Sequence, residues 1–494
     1  MTDRNWDPAE ERKFDAMLES GLPELPPKEI VEEVTPWRGA FNRVLVGIVF
    51  STVTLNFLWL DYILPAIGAV LSLLGYRALR RENRWFGGCF WLTFLSNAYF
   101  FPALILNTTI LAGLPMIQTL QNRMAIVGFA LRLAEFVCLW QGMGRVQQKV
   151  GLAAEGNGVK PLIFWYLLVG ALAAVGYSGW IIAIGVLVSY YFIIRSIYRL
   201  SKELDEAGYT IQAVPVKVSD SRLIKIIGAA LLAGGVLGYL LGGSYPMDWQ
   251  EVQPDQNSDT AELKTQLAEL GFPEYVLDDL SAEDLAACEG ALKVVYDVQD
   301  KEVDRAGTKD LRVTGVAVQL AEPEGQWVVF HHFLWIRDIN FYGTEAIQLW
   351  PVYRDIDEGW AADGEVTGRL LYDRGGKTFA APYYFLGNQT YTQDSIFWGQ
   401  QSKTDVFAAF SLPRAGEHCR GYVSYQTRNI QSGYLFSSWF NYTHQRIWFQ
   451  YPVITAMESR IKNFWNTAGA FYTVQDALQF YPFKEDGGRV HEIG

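Results

Sequence analysis

The sequence predicts an α-helical membrane bundle of about seven transmembrane helices, followed by a C-terminal extracytoplasmic α+β domain with an antiparallel β-sandwich-like core. Three observations lead to it. Of 494 residues, 50% are apolar and only 19% charged, whereas an ordinary soluble protein carries about 25% charge. The formal charge of −12 divides into −5 over residues 1–40, +8 over 41–243 and −15 over 244–494. Between 41 and 243 apolar segments recur near the ~20-residue length that a ~30 Å hydrocarbon core requires; from Asp310 onward the apolar period falls to two. These features exclude a single soluble domain, a small disulfide scaffold and a disordered chain. They also argue against nucleic acid as a partner, because no domain-sized basic face is available to neutralise phosphates.

Residues 1–40 hold no basic stretch followed by an apolar core, so they read as an acidic cytoplasmic tail rather than a signal peptide. Helical spacing runs from Pro8 to Leu18 and stops at Gly21; Leu22 to Pro27 is a proline-rich connector, and Trp37 suits an interfacial anchor. The seven-span domain, 41–243, contains apolar segments at 42–60, 62–79, 85–106, 122–142, 161–177, 179–198 and 222–243. Orientation follows from loop charge. Arg77, Arg80, Arg81 and Arg84 mark one loop; Arg145, Lys149 and Lys160 a second; Arg195, Arg199, Lys202, Lys217, Arg222 and Lys225 a third. The alternate turns are almost free of positive charge, which puts the tail inside and the C-terminal domain outside, in a cytoplasmic (plasma) membrane. The first turn, at Leu60, Asp61 and Tyr62, is tight enough for a re-entrant pair, and Pro102 and Pro115 flank an irregular outer segment around Asn107.

The fourth segment carries Arg132 and Glu135, three residues apart and so on one helical face. A charge at the bilayer centre costs roughly 2.5–3.5 kcal/mol even on lenient insertion scales. The pair is either a polar site between helices, with Asn97 as a third member, or a salt bridge that pins the bundle. The other spans hold no second acidic or histidine residue, which argues against a proton or ion relay.

Beyond a linker at 244–260, residues 261–300 form a small helical segment and 301–494 a β-rich domain. Asp259 with Glu262 and Ser281 with Asp284 have capping-box spacing, and Leu285, Cys288, Leu292 and Val295 recur along one helical face. Strands are expected at 311–320, 326–337, 345–352, 365–372, 377–386, 404–412, 418–427, 433–442 and 447–453, with helices at 455–465 and 474–480. Arg374–Thr378 reads Arg-Gly-Gly-Lys-Thr, but Leu371 stands where a P-loop needs glycine, so a hairpin turn explains it. Asp355, Asp357, Glu358, Asp363 and Glu365 gather five carboxylates without an EF-hand ligand order, which leaves a calcium site or a solvated loop. His331 and His332 are adjacent on a strand, point to opposite faces and have apolar neighbours on both. Cys288 and Cys419 are either a disulfide or two small buried hydrophobes. Trp439, Tyr442, Trp448 and Tyr451 belong to an aromatic run with three readings: core, seat on the membrane, or platform for a sugar or peptide ligand. No catalytic motif is present, and no cofactor is expected.

Thr35-Pro36-Trp37-Arg38 before the first span and Ala78-Leu79-Arg80-Arg81-Glu82-Asn83-Arg84-Trp85 after the second resemble segments of uncharacterised multi-span membrane proteins of Clostridia-like Gram-positive bacteria. The resemblance covers the tail and the first spans, and implies a bacterial cytoplasmic membrane but no activity. Two functions compete. One is a receptor-like or envelope protein whose outer domain binds an extracellular ligand or protein partner. The other is a transporter or membrane-embedded enzyme centred on Arg132, Glu135 and Asn97, and a polar cavity reaching Arg132 would separate the two.

Overall fold

The computed structural model describes residues 37–53, 59–152, 158–176, 179–211, 217–252, 258–323, 325–353, 362–395, 399–427, 435–462 and 469–482. The N-terminal tail expected at 1–40 therefore falls almost wholly outside the described residues. The chain divides into two compact units, a helix unit of residues up to 104 with 119–233, and a sheet-rich unit of 105–118 with 234 onward.

Among the described residues, seven α-helices occupy the apolar region: α1 (Trp37–Thr52), α2 (Leu60–Leu79), α3 (Arg84–Leu106), α4 (Pro115–Val150), α5 (Val159–Ala174), α6 (Trp180–Glu206) and α7 (Asp220–Gly242). Five of them, α2, α3, α4, α6 and α7, are long and apolar enough to cross a membrane, and α5 is a shorter apolar helix. α1 and α2 approach backbone to backbone. A Cβ on Gly68 would lie 2.7 Å from the Gly47 carbonyl, and one on Gly75 2.8 Å from that of Ala40. Small residues at such a seam are how apolar helices gain van der Waals contact in the absence of a hydrophobic drive.

Polar contacts collect the helix termini at one end of the helix unit. Asp220, opening α7, binds Arg43 of α1 at 2.6 Å and Arg77 of α2 at 3.2 Å. Glu82, between α2 and α3, accepts from the Tyr209 hydroxyl at 2.7 Å beyond α6 and lies 3.8 Å from Lys149 at the end of α4. Gly158, ahead of α5, packs against Ser196 of α6. Thus α1, α3, α5 and α7 start, and α2, α4 and α6 finish, at the same basic end, so neighbours in sequence run in opposite directions.

The sheet-rich unit is a sandwich of two antiparallel sheets with helices on its outer face. Its strands are β1 (Gln250–Glu251), β2 (Ala291–Lys301), β3 (Leu311–Leu320), β4 (Trp327–Trp335), β5 (Glu345–Tyr353), β6 (Ala362–Arg374), β7 (Lys377–Ala381), β8 (Phe385–Ser395), β9 (Gly399–Phe410), β10 (Glu417–Thr427), β11 (Phe436–Gln445) and β12 (Phe471–Phe480). One sheet has the order β1-β7-β6-β10-β4-β3-β2 and the other β12-β11-β5-β9-β8. Alternation on β4 is complete. Trp327, Val329, Phe333 and Trp335 enter the core between the sheets, while Val328 and Phe330 turn to α8 (Ser258–Glu269), α9 (Glu274–Leu277) and α10 (Ala282–Ala286). Segment 105–118 also belongs here: Thr108 and Thr109 are buried against Gly238 and Gly242 of α7, and Val453 N–H donates to Asn107 O at 2.8 Å.

Several local expectations give way to long-range pairing. The last helix of the segment expected at 261–300 ends at Ala286, a turn follows to Gly290, whose φ is +77°, and residues 291–301 pair with β3 as strand β2; Val294, Val295, Tyr296 and Val298 suit a pleated surface. The linker 244–260 includes β1, which pairs with β7. The single strand expected at 377–386 breaks at Pro382, where the chain passes from one sheet to the other. Residues 447–453 are a loop rather than a strand, because Gln450 O accepts from Tyr239 and Val453 N–H is taken by Asn107. The helix expected at 474–480 is β12, which alternates Val474, Asp476, Leu478 and Phe480 inward. α11 (Ala456–Ile461) starts with a Thr455–Glu458 capping box, and Ser281 accepts from Asp284 N–H to cap α10. Gly375 and Gly376, at φ +60° and +75°, form the two-residue β6–β7 turn, so Arg374–Thr378 is a hairpin. Cys288 and Cys419 are free thiols in separate apolar clusters, not a disulfide.

A buried network fastens the helices to the large sheet. His332 Nε2 meets Asp279 Oδ2 at 2.8 Å and Arg420 Nε meets Oδ1 at 2.7 Å, while Arg369 donates to the Asp279 and Leu280 carbonyls. Burial pushes the Asp279 carboxyl up, but His332 and Arg420 more than offset this and hold it below its ordinary value. Asp279 therefore stabilises the fold above the ordinary carboxylate range, and the contribution fades as pH falls through that range. Asp279→Ala, which leaves the Arg420 guanidinium and the buried His332 ring without their acceptor, is expected to destabilise the unit by about 3–5 kcal/mol. Amide exchange in β4 and β10 checks this, and wild-type protection should weaken below about pH 5 where that of the variant changes less.

Candidate functional site

α4 carries Arg132 and Glu135 one turn apart, and the i, i+3 spacing closes an ion pair, Nη1 to Oε2, at 2.9 Å. The two ends differ in environment: the Glu135 side chain is 1% exposed and that of Arg132 21%. Tyr76 of α2 and Thr93 of α3, both buried, lie near Glu135, but neither hydroxyl, nor Glu135 Oε1, has a hydrogen-bond partner among the described residues. Cys89 of α3 lies at 3.6 Å from the Glu135 carbonyl. Asn97, one turn beyond Thr93, donates to the Ala69 carbonyl at 3.0 Å. A polar seam thus joins α2, α3 and α4 inside otherwise apolar helices.

Arg132 and Asn97 both line a cavity of about 300 Å³. Its wall is apolar over most of its surface, with Pro65 and Ala69 from α2, Leu95 and Phe100 from α3, and Val127 and Leu131 from α4. Ser51 of α1 and Ser96 add hydroxyls. Arg132 makes one hydrogen bond, to Glu135, among the described residues. A guanidinium has five N–H donors, so the remaining donors have no protein acceptor among those residues, and Arg132 is one of the residues lining the cavity. Asn97 sits 13 residues past Arg84, about 20 Å from the basic end at 1.5 Å per residue. The site is thus well inside the helix unit.

Of the residues singled out in the sequence, Arg132, Glu135 and Asn97 come together. Tyr76 and Thr93 did not stand out, although Ser72 with Tyr76 and Thr93 with Asn97 are polar pairs four residues apart in apolar segments, a detectable one-face signal. The aromatic platform is not assembled. Tyr442 is in the core between the sheets, Trp439 stacks on Trp350, and Trp448 and Tyr451 lie on the 447–453 loop. Of the acidic cluster, Asp355, Asp357 and Glu358 lie outside the described residues, as does the side chain of Asp363; Glu365 is exposed. Among the described residues no three His, Cys, Asp or Glu side chains gather as a metal site.

No family model matches the chain, and no curated protein matches it.

If each member of the ion pair compensates the buried charge of the other, single and double replacements must differ. Glu135→Leu leaves a buried guanidinium unpaired and should destabilise by about 3–5 kcal/mol, whereas Arg132→Leu with Glu135→Leu should change stability by no more than ~1–2 kcal/mol in either direction. Thermal unfolding in detergent measures the contrast.

Proposed function

We propose that the chain is a membrane protein that binds an amphipathic molecule inside its helix unit, with an acceptor-rich polar head at Arg132 and an apolar tail along α2, α3 and α4. The observation that carries this reading is an arginine with spare donors among the residues lining a cavity whose walls are otherwise mostly apolar. A carrier or membrane-embedded receptor fits such a wall better than a proton relay, which would need a chain of titratable groups.

In this reading all seven helices cross the bilayer. Support comes from their alternating direction and from the hairpins that α1 forms with α2 and α5 with α6. α1 and α5 have 16 residues each, about 24 Å at 1.5 Å per residue, and span where the bilayer thins or flanking residues snorkel. The basic end faces the cytoplasm by the charge rule. α7 starts at that end and its 23 residues rise about 34 Å, long enough to cross a bilayer, which supports an extracytoplasmic side for the chain that follows it. A reporter fused after residue 494 should be active only as a periplasm-type or extracellular enzyme; activity of a cytoplasm-restricted reporter there overturns the orientation.

Binding is tested with cis-parinaric acid, a fluorescent fatty acid, on the purified full chain. A Cβ at Gly128, which lines the cavity, meets nothing within 4 Å, so Gly128→Leu adds bulk to the cavity wall from a position open at its Cβ. Gly128→Leu and the double variant Arg132→Leu/Glu135→Leu should each weaken saturable binding about tenfold or more, equivalent to ~1.4 kcal/mol. Equal affinity in all three proteins rejects the site.

A further inference from the structure

The sheet-rich unit leaves three consecutive large apolar side chains in the open. Ile447, Trp448 and Phe449 are 47%, 57% and 47% exposed, in a loop whose two ends are held. Arg446 N–H donates to Ala470 O at 2.9 Å and Val453 N–H to Asn107 O at 2.8 Å. From the side, Tyr239 of α7 donates to Gln450 O, and its ring meets Trp448 at 6.1 Å and Phe449 at 5.5 Å. The loop is thus fixed against the last turns of an apolar helix whose Leu237, Leu240 and Leu241 are themselves exposed. Its apolar surface continues that of α7. Exposed indole and phenyl rings against water are unfavourable by the apolar area they present, and a protein that spends backbone hydrogen bonds to hold them outward has a nonaqueous surface there.

We propose that Ile447–Phe449 is a membrane anchor that inserts into the headgroup and acyl boundary of the leaflet where α7 ends, so that its partner is the lipid bilayer. Trp at this depth gains from an apolar ring body and a polar N–H edge. Insertion of about 5–10 Å, typical of interfacial segments, places Tyr239 at the same level and adds a second attachment of the sheet-rich unit besides α7. The inference rests on α7 being a membrane span but not on the Arg132 cavity.

Spin labels at Trp448→Cys and, separately, Phe449→Cys test it in vesicles of phosphatidylethanolamine and phosphatidylglycerol, read by collision with oxygen and with a water-soluble nickel chelate. Leu240→Cys on α7 reports lipid, Leu292→Cys, exposed on β2, reports water, and the wild type corrects for the four buried or half-buried native thiols. The oxygen-to-nickel ratio at 448 and 449 should exceed that at 292 by about threefold or more, in line with interfacial depth. A ratio equal to that at 292 overturns the proposal, and so does dipolar broadening, which would show a second copy of the chain on the loop. If Leu240→Cys is also aqueous, the span reading of α7 fails first and the anchor with it.

Discussion

A guanidinium among apolar helices stays ionised only if acceptors travel with it, because desolvation of an isolated charge costs several kcal/mol. Arg132 meets that requirement within its own helix, through Glu135 one turn away at 2.9 Å. The pair therefore forms as soon as α4 does. Its surroundings are nonlocal: Tyr76 of α2 and Thr93 of α3 are buried near Glu135, whose Oε1 has no hydrogen-bond partner among the described residues. Arg132, less buried than its partner, lines an apolar-walled cavity together with Asn97. The carboxylate is pinned on one side, while the cation keeps donors without a protein acceptor among the described residues.

The basic end of the helix unit is organised by the opposite economy, few acids among many bases. Asp220 holds both Arg43 and Arg77, and Glu82 takes Tyr209 and Lys149. These acids relieve repulsion among loops that all carry arginine, and they bring the ends of α1, α2, α4 and α7 together. The charge pattern that orients a membrane protein is here also the set of contacts that registers its helices.

In the sheet-rich unit, β4 shows how two adjacent histidines meet different demands. His331 enters the core between the sheets, where burial pushes its pKa down to about 3; it is a neutral imidazole 2.7 Å from the Ser438 hydroxyl and stacked on Phe440. His332, on the other face, meets the Asp279 carboxylate. Both are structural groups, and neither opens onto solvent.

The sequence by itself determined what depends on local periodicity and charge. Continuous apolar segments placed α1–α7, alternation placed β3, β4, β5 and β10 within a residue or two, and the i, i+3 spacing paired Arg132 with Glu135. Only the tertiary structure decided what depends on partners remote in the chain. Residues 291–301 and 471–480 satisfy a helical spacing as well as a pleat, and became strands because β3 and β11 offered unpaired backbone edges. Cys288 and Cys419 stayed apart because each filled a different apolar cluster. The cavity at Arg132 arose from the way α1–α4 meet. Burial and hydrogen bonding between distant segments outweigh the small differences in local propensity, and no window of the sequence contains them.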